Sequence, residues 1–124
     1  MIPEEDKKKL CLIVSEIEKF KGEDISIIDM REFPLLTDYV VIATCSSTRH
    51  MEAVAEGIIL TLKKENYEID HREGSGDACW FLLDYHDVLV NMFYSDSRGF
   101  YNLDGLYKNA PQILLSDING GEYA

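Results

Sequence analysis

The sequence DYVVIATCSSTRHMEAVAEGIILTLKKENYEIDHR, residues 38–72, carries two hydrophobic periods in succession. Asp38 to Thr44 is rich in β-branched residues and reads as a strand. Ser46, Ser47 and Thr48 offer N-cap side chains, and Met51, Val54, Ala55, Ile58 and Leu62 then form one apolar stripe at helical spacing. A helix to about Asn66 follows, which Gly57 weakens without breaking. Tyr67 to Arg72 reads as a strand again. Strand, helix, strand in this order favours a right-handed parallel crossover and an α/β class.

The flanking segments extend the same architecture. Upstream, Leu10, Ile13, Val14, Ile17 and Phe20 recur at helical spacing after an acidic first turn, and Gly22 stands where a C-terminal cap belongs. Ile25 to Met30 is a strand that the Pro34 loop joins to residues 38–44, as in a hairpin. Downstream, Gly74-Ser75-Gly76-Asp77 is turn chemistry leading to a second hairpin, Ala78 to Asp84 and Val88 to Tyr94. Ser95 can cap a last helix whose inner face carries Phe100, Leu103 and Leu106. Pro111 and Gly120-Gly121 mark a polar tail. The expectation is one α/β domain over residues 1–110, a mixed five-stranded sheet packed with helices, and a loosely ordered tail over 111–124.

With 46% hydrophobic residues in 124, the chain can bury a real core. Twelve basic against 23 acidic side chains give a formal charge of −11, which repels a phosphate backbone. Direct nucleic-acid binding is not expected, and a macromolecular partner should present a basic protein surface. Cys11, Cys45 and Cys79 are odd in number and widely spaced, which suggests free thiols instead of a disulfide framework or zinc site. The acidic N-terminal stretch from Glu4 to Asp6 is unlike a secretory signal, and no apolar run approaches membrane-spanning length. A cytoplasmic location fits these features.

Catalytic chemistry is hard to assemble from the residues. Gly74-Ser75 ahead of Asp84 and Asp87 invites a magnesium-dependent nucleotidyl-transfer reading, but that chemistry needs carboxylates close enough to share metal ions. On a regular strand Asp84 would need an acid two positions on, where His86 stands, although a bend at Tyr85 could still bring Asp87 close. His50, His71 and His86 lie on separate elements without ligand spacing, and neither phosphate-binding glycine pattern is present. No catalytic residue, metal site or cofactor is assigned. Trp80, the only tryptophan, shares one strand face with Leu82 and Asp84, while Phe81, Leu83 and Tyr85 share the other. If Phe81 and Leu83 face inward, Trp80 and Leu82 are displayed with Asp84, Tyr85 and Asp87 around them, the composition of a protein-binding hot spot. A core tryptophan beside solvated acids fits the pattern equally well.

From Asp24 to about Ala110, roughly seven-tenths of the chain, the sequence resembles the ribosomal silencing factor, or Iojap-related, family. The landmarks are Leu36-Thr37-Asp38-Tyr39, Ser47-Thr48-Arg49-His50, Glu73-Gly74, Trp80 with Leu82-Leu83-Asp84-Tyr85, Asp87-Val88, Ser97-Arg98, Tyr101 and Leu103. The resemblance implies a nucleotidyltransferase-like fold lacking the catalytic acids, and no enzymatic activity. It implies binding to the large ribosomal subunit through its ribosomal protein numbered fourteen, a steric block to joining of the small subunit, and repression of translation when nutrients are scarce. Carried over by position, partner binding falls on Trp80, Asp84 and Tyr85, with Asp87 close by. Cys45, Asn91 and Tyr107 depart from the family pattern, which more often has glycine, histidine and tryptophan there. The alternatives are an adaptor for large-subunit assembly using the same patch and, further off, the magnesium-dependent nucleotidyltransferase. The free protein is expected to form a homodimer.

Overall fold

The 16-residue first helix and the 17-residue second helix owe their positions to particular local contacts in the computed structural model, which describes residues 2–33, 37–74 and 78–118. Helix α1 (Glu4–Lys19) carries Glu4, Glu5 and Asp6 in its first turn, where negative charge suits the helix dipole. It ends with Lys21 in the left-handed region (φ 65°) and the Gly22 amide donating to the Ile17 carbonyl at 2.8 Å. A Cβ at Gly22 would lie 2.5 Å from Ile17 Cγ2, so the close return of the chain requires glycine here. Helix α2 (Thr48–Lys64) starts as its sequence indicates: Ser47 Oγ accepts from the His50 amide at 3.0 Å. The stripe Met51, Val54, Ala55, Ile58 and Leu62 is fully buried.

The strands are β1 (Glu23–Asp29), β2 (Tyr39–Cys45), β3 (His71–Glu73), β4 (Trp80–Asp84) and β5 (Val88–Tyr94). After them come two short helices, α3 (Ser95–Tyr101) and α4 (Leu103–Leu106), then strand β6 (Gln112–Ile113) and helix α5 (Leu115–Ile118). The single mixed sheet runs β3-β4-β5-β2-β1-β6, with β2 and β5 parallel and every other neighbouring pair antiparallel.

Four expectations change. The sheet has six strands among the described residues, because β6, in the supposed polar tail, pairs with β1 through Ile27–Ile113 and Ile28–Gln112. Ile113 and Ile118 are buried in the main core, so the domain extends past residue 110 to at least Ile118. The crossover from β2 through α2 does not reach an adjacent strand. Residues 67–70 are not strand, and β3 lies at the sheet edge, with β4 and β5 between it and β2. Composition explains the exchange: β5 is apolar on both faces and suits the centre, whereas His71-Arg72-Glu73 is polar on both and suits an edge. Finally, the last helix breaks at Asn102 (φ 48°), whose side chain accepts from the Gly105 amide at 3.1 Å. The break turns Phe100 and Leu106 outward, to 82% and 69% exposure, and leaves Leu103 buried.

The core is two-sided. On one face of the sheet Tyr39, Val41, Ala43, Phe81, Leu83, Val88, Val90 and Met92 pack in one cluster with the buried residues of α1 and α2. On the other face a smaller cluster joins Ile28, Val40, Ile42 and Phe93 to Leu103, with Met30, Trp80 and Tyr107 against it. Arg98 locks α3 to that second face. Its guanidinium donates to both Asp104 carboxylate oxygens at 3.0 Å, to Thr44 Oγ1 at 2.9 Å, to Ser26 Oγ at 3.1 Å and to the Asp24 carbonyl. Among the described residues no helix is long and apolar enough to cross a membrane.

Candidate protein-binding surface

Alternation along β4 sorts its side chains into two environments. Phe81 and Leu83 are fully buried against the helices, whereas Trp80, Leu82 and Asp84 are half-buried on the opposite face. The register then writes that face in rows: Trp80 opposite Phe93, Leu82 opposite Asn91, and Asp84 opposite Leu89. Helices α3 and α4 cover this face over β1, β2 and the Phe93 end of β5, and Tyr101 of α3 reaches Trp80. The rows over β4 leave Trp80, Leu82, Asp84 and Leu89 partly open. The lowest row continues from His71 through Asp84 and Leu89 to Val40. There it meets a mostly apolar groove of about 400 Å³, lined by Met30, Phe33, Val40, Leu106 and Tyr107 among others.

Trp80 is held on three sides. Its ring lies 5.0 Å from Phe93 and 4.9 Å from Tyr101, both tilted contacts, and Nε1 donates to Asn91 Oδ1 at 3.1 Å. Trp80 is neither freely displayed nor a fully buried core residue: it lies on the face away from Phe81 and Leu83, partly exposed and packed against the second cluster. Asp84 shares this face and accepts from the His86 amide at 2.8 Å, stabilising the β4–β5 turn in which His86 has φ 76°.

The other two expected contact residues are placed differently. Tyr85 faces the helix side and is 3% exposed within the main core. Burial, with the negative charge of Glu68 adding to it, pushes its phenol up to about 12. Its hydroxyl is buried and has no hydrogen-bond partner among the described residues. A ring that follows Asp84 by one position must point to the opposite face, so Tyr85 is not part of the displayed surface. Asp87 turns toward α1, where Lys9 Nζ donates to Oδ1 at 2.5 Å. Lys9 is itself only 8% exposed and lies over the Tyr67 and Tyr85 rings, at 4.9 and 5.5 Å. Asp87 thus ties the turn to the first helix through its side chain, while its carbonyl accepts from the Asp38 and Tyr39 amides.

The remaining candidates sort in the same way. His50 bridges the two long helices: Nδ1 accepts from the Ser46 amide at 2.9 Å and Nε2 donates to the Phe20 carbonyl at 2.5 Å. His71 pairs with Glu73 at 3.0 Å in the open. Among the described residues no three His, Cys, Asp or Glu side chains cluster as metal ligands would. Ser75 lies outside the described residues. Sequence reasoning missed the aromatic shelf of Phe93 and Tyr101 under Trp80, and it gave Asn91 no role. The visible signal was a lone carboxamide in the otherwise apolar run Val88-Leu89-Val90-Asn91-Met92-Phe93.

Fold and surface together describe an α/β domain that displays a braced tryptophan and a carboxylate on the open part of a sheet. Comparison with known proteins gives the class a family. Residues 3–123 match the family described as "Ribosomal silencing factor during starvation", to which this chain belongs. It is 31% identical over 115 residues to ribosomal silencing factor RsfS of Bacillus subtilis, covering 93% of this chain and 95% of that one. Against ribosomal silencing factor RsfS of Halalkalibacterium halodurans it is 29% identical over 113 residues, 91% and 97% of the two chains. A crystal structure of a Chromobacterium violaceum protein, 27% identical, superposes with a TM-score of 0.77 over 86% of this chain and 88% of that one.

Proposed function

We propose that this protein binds the large ribosomal subunit in the cytoplasm, through its ribosomal protein numbered fourteen, and sterically blocks joining of the small subunit without catalysing a reaction. The observation that carries this reading is the open strip of sheet with Trp80 braced at one end and Asp84 at the other. A tryptophan held in one pose presents apolar area at little entropic cost, and a half-exposed carboxylate beside it can pair with Lys or Arg. The charge of −11 suits a basic protein partner and opposes contact with rRNA phosphates. Tyr85 and Asp87 support the strip from behind and take no part in contact. The free protein is a homodimer in this reading, and a dimer that used the same strip would compete with the ribosome.

Sedimentation of purified subunits tests the proposal. Migration of the protein with the large subunit, together with depletion of the joined particle, is the expected result. Binding without depletion would point to an assembly adaptor, and absence of binding would overturn the reading. Light scattering with the isolated ribosomal protein should show the homodimer replaced by a one-to-one complex.

A further inference from the structure

Asn91 sits at the centre of the face that carries Trp80, opposite Leu82 on β4 and Ile42 on β2, and is 3% exposed. A carboxamide buried among aliphatic and aromatic side chains is costly unless its polar atoms are used. Here the oxygen takes the Trp80 indole N–H at 3.1 Å, and the nitrogen lies 3.4 and 3.5 Å from the Val41 and Leu89 carbonyls. An indole nitrogen only donates, so the carboxamide oxygen must face it, and the amide nitrogen is thereby turned to the sheet carbonyls. We propose that Asn91 is the positioning residue of the binding surface, setting the pose of Trp80 that the partner meets.

The proposal rests on the reading that Trp80 contacts the partner, and the geometry shows why stacking alone would not suffice. Contact with Phe93 and Tyr101 restrains the plane of the indole but not the small χ1 swings that slide it across those rings. One directional bond at Nε1 removes that freedom. A carboxamide offers this acceptor uncharged at every physiological pH. A carboxylate there would bury a charge, and an imidazole would lose its acceptor on protonation.

Trp80 is the only tryptophan, so a single indole signal in an amide NMR spectrum reports the bond directly. In the unaltered protein that proton should be shifted downfield and exchange with solvent more slowly than in free tryptophan. Asn91→Leu, matched in shape, should move the signal upfield, speed its exchange and weaken binding to purified large subunits about fivefold, the effect of one lost hydrogen bond. In a Trp80→Phe background, which keeps the stacking but has no N–H, the same substitution should cost nothing further. Exchange in the unaltered protein as fast as in free tryptophan would overturn the proposal without any variant needing to fold. So would undiminished affinity in Asn91→Leu, or an equal loss in the Trp80→Phe background. Should Trp80→Ala leave ribosome binding unchanged, the functional reading would fall while the indole measurements would still stand.

Discussion

Removing either partner of the Lys9–Asp87 pair should have unequal costs, because water reaches the two side chains unequally. The Lys9 side chain is 10% exposed and that of Asp87 37%, with 2.5 Å between Nζ and Oδ1. In Asp87→Ala the ammonium stays buried beneath the Tyr67 and Tyr85 rings without its carboxylate. Breaking a fully buried pair costs about 3–5 kcal/mol, and an exposed pair contributes under about 1 kcal/mol. With one member buried and the other half-open, a loss of about 2–3 kcal/mol is expected. For a domain of this size that is a drop of about 10 °C in Tm. In Lys9→Met the methylenes still pack on Tyr67 and Tyr85, and the abandoned carboxylate turns to water, so the loss should be about 1 kcal/mol. Adding Asp87→Ala to Lys9→Met should then cost almost nothing more. Urea unfolding of the two single variants and the double variant at constant slope measures all three quantities. Large-subunit affinity of the folded variants should match that of the unaltered protein. Equal costs, or a loss of affinity in Asp87→Ala without loss of stability, would refute the assignment of Asp87 to the interior.

Three further outcomes are expected. Trp80→Ala should weaken large-subunit binding by about 2 kcal/mol, roughly thirtyfold, while the domain stays folded, as titration of purified subunits would show. Ending the chain after Pro111 should cost about 3–5 kcal/mol in urea unfolding, since Ile113 and Ile118 leave the core and β1 loses its outer neighbour. Asp104 is held below its usual 3.8 by the Arg98 guanidinium. The stability it supplies is therefore complete above that value and lost as pH falls through the lower folded value. Asp104→Asn should be less stable than the unaltered protein at pH 7 by about 1 kcal/mol, and the gap should narrow in melts taken at progressively lower pH beneath the usual carboxylate range.

Periodicity alone identified both long helices and the β4–β5 hairpin, because these depend on side chains close in sequence, but it left open which face of β4 packs inward. It also placed Trp80 and Asp84 together on one face, since strand alternation does not depend on what the strand packs against. Whether that face was open could not be read there. The answer required α3 and α4 to cover this face over β1, β2 and the Phe93 end of β5, reaching β4 only where Tyr101 meets Trp80, with a break between the two helices at Asn102. Asp87 was equally illegible, because its partner Lys9 lies 78 residues away and only the docking of α1 on the sheet brings them together. The strand order belongs to the same category. A hairpin apolar on both faces gains more by displacing a charged strand from the centre than local propensity can register, so β3 went to the edge. Two-residue β6 carries almost no periodic signal, and only pairing with β1 and burial of Ile113 make it a strand. What the sequence determined was therefore the two long helices, the four longer strands, the family and the placing of Trp80 and Asp84 on one face. Tertiary structure alone decided which acid faces outward, which tyrosine is core and which buried amide holds the tryptophan, because each of these rests on groups distant along the chain.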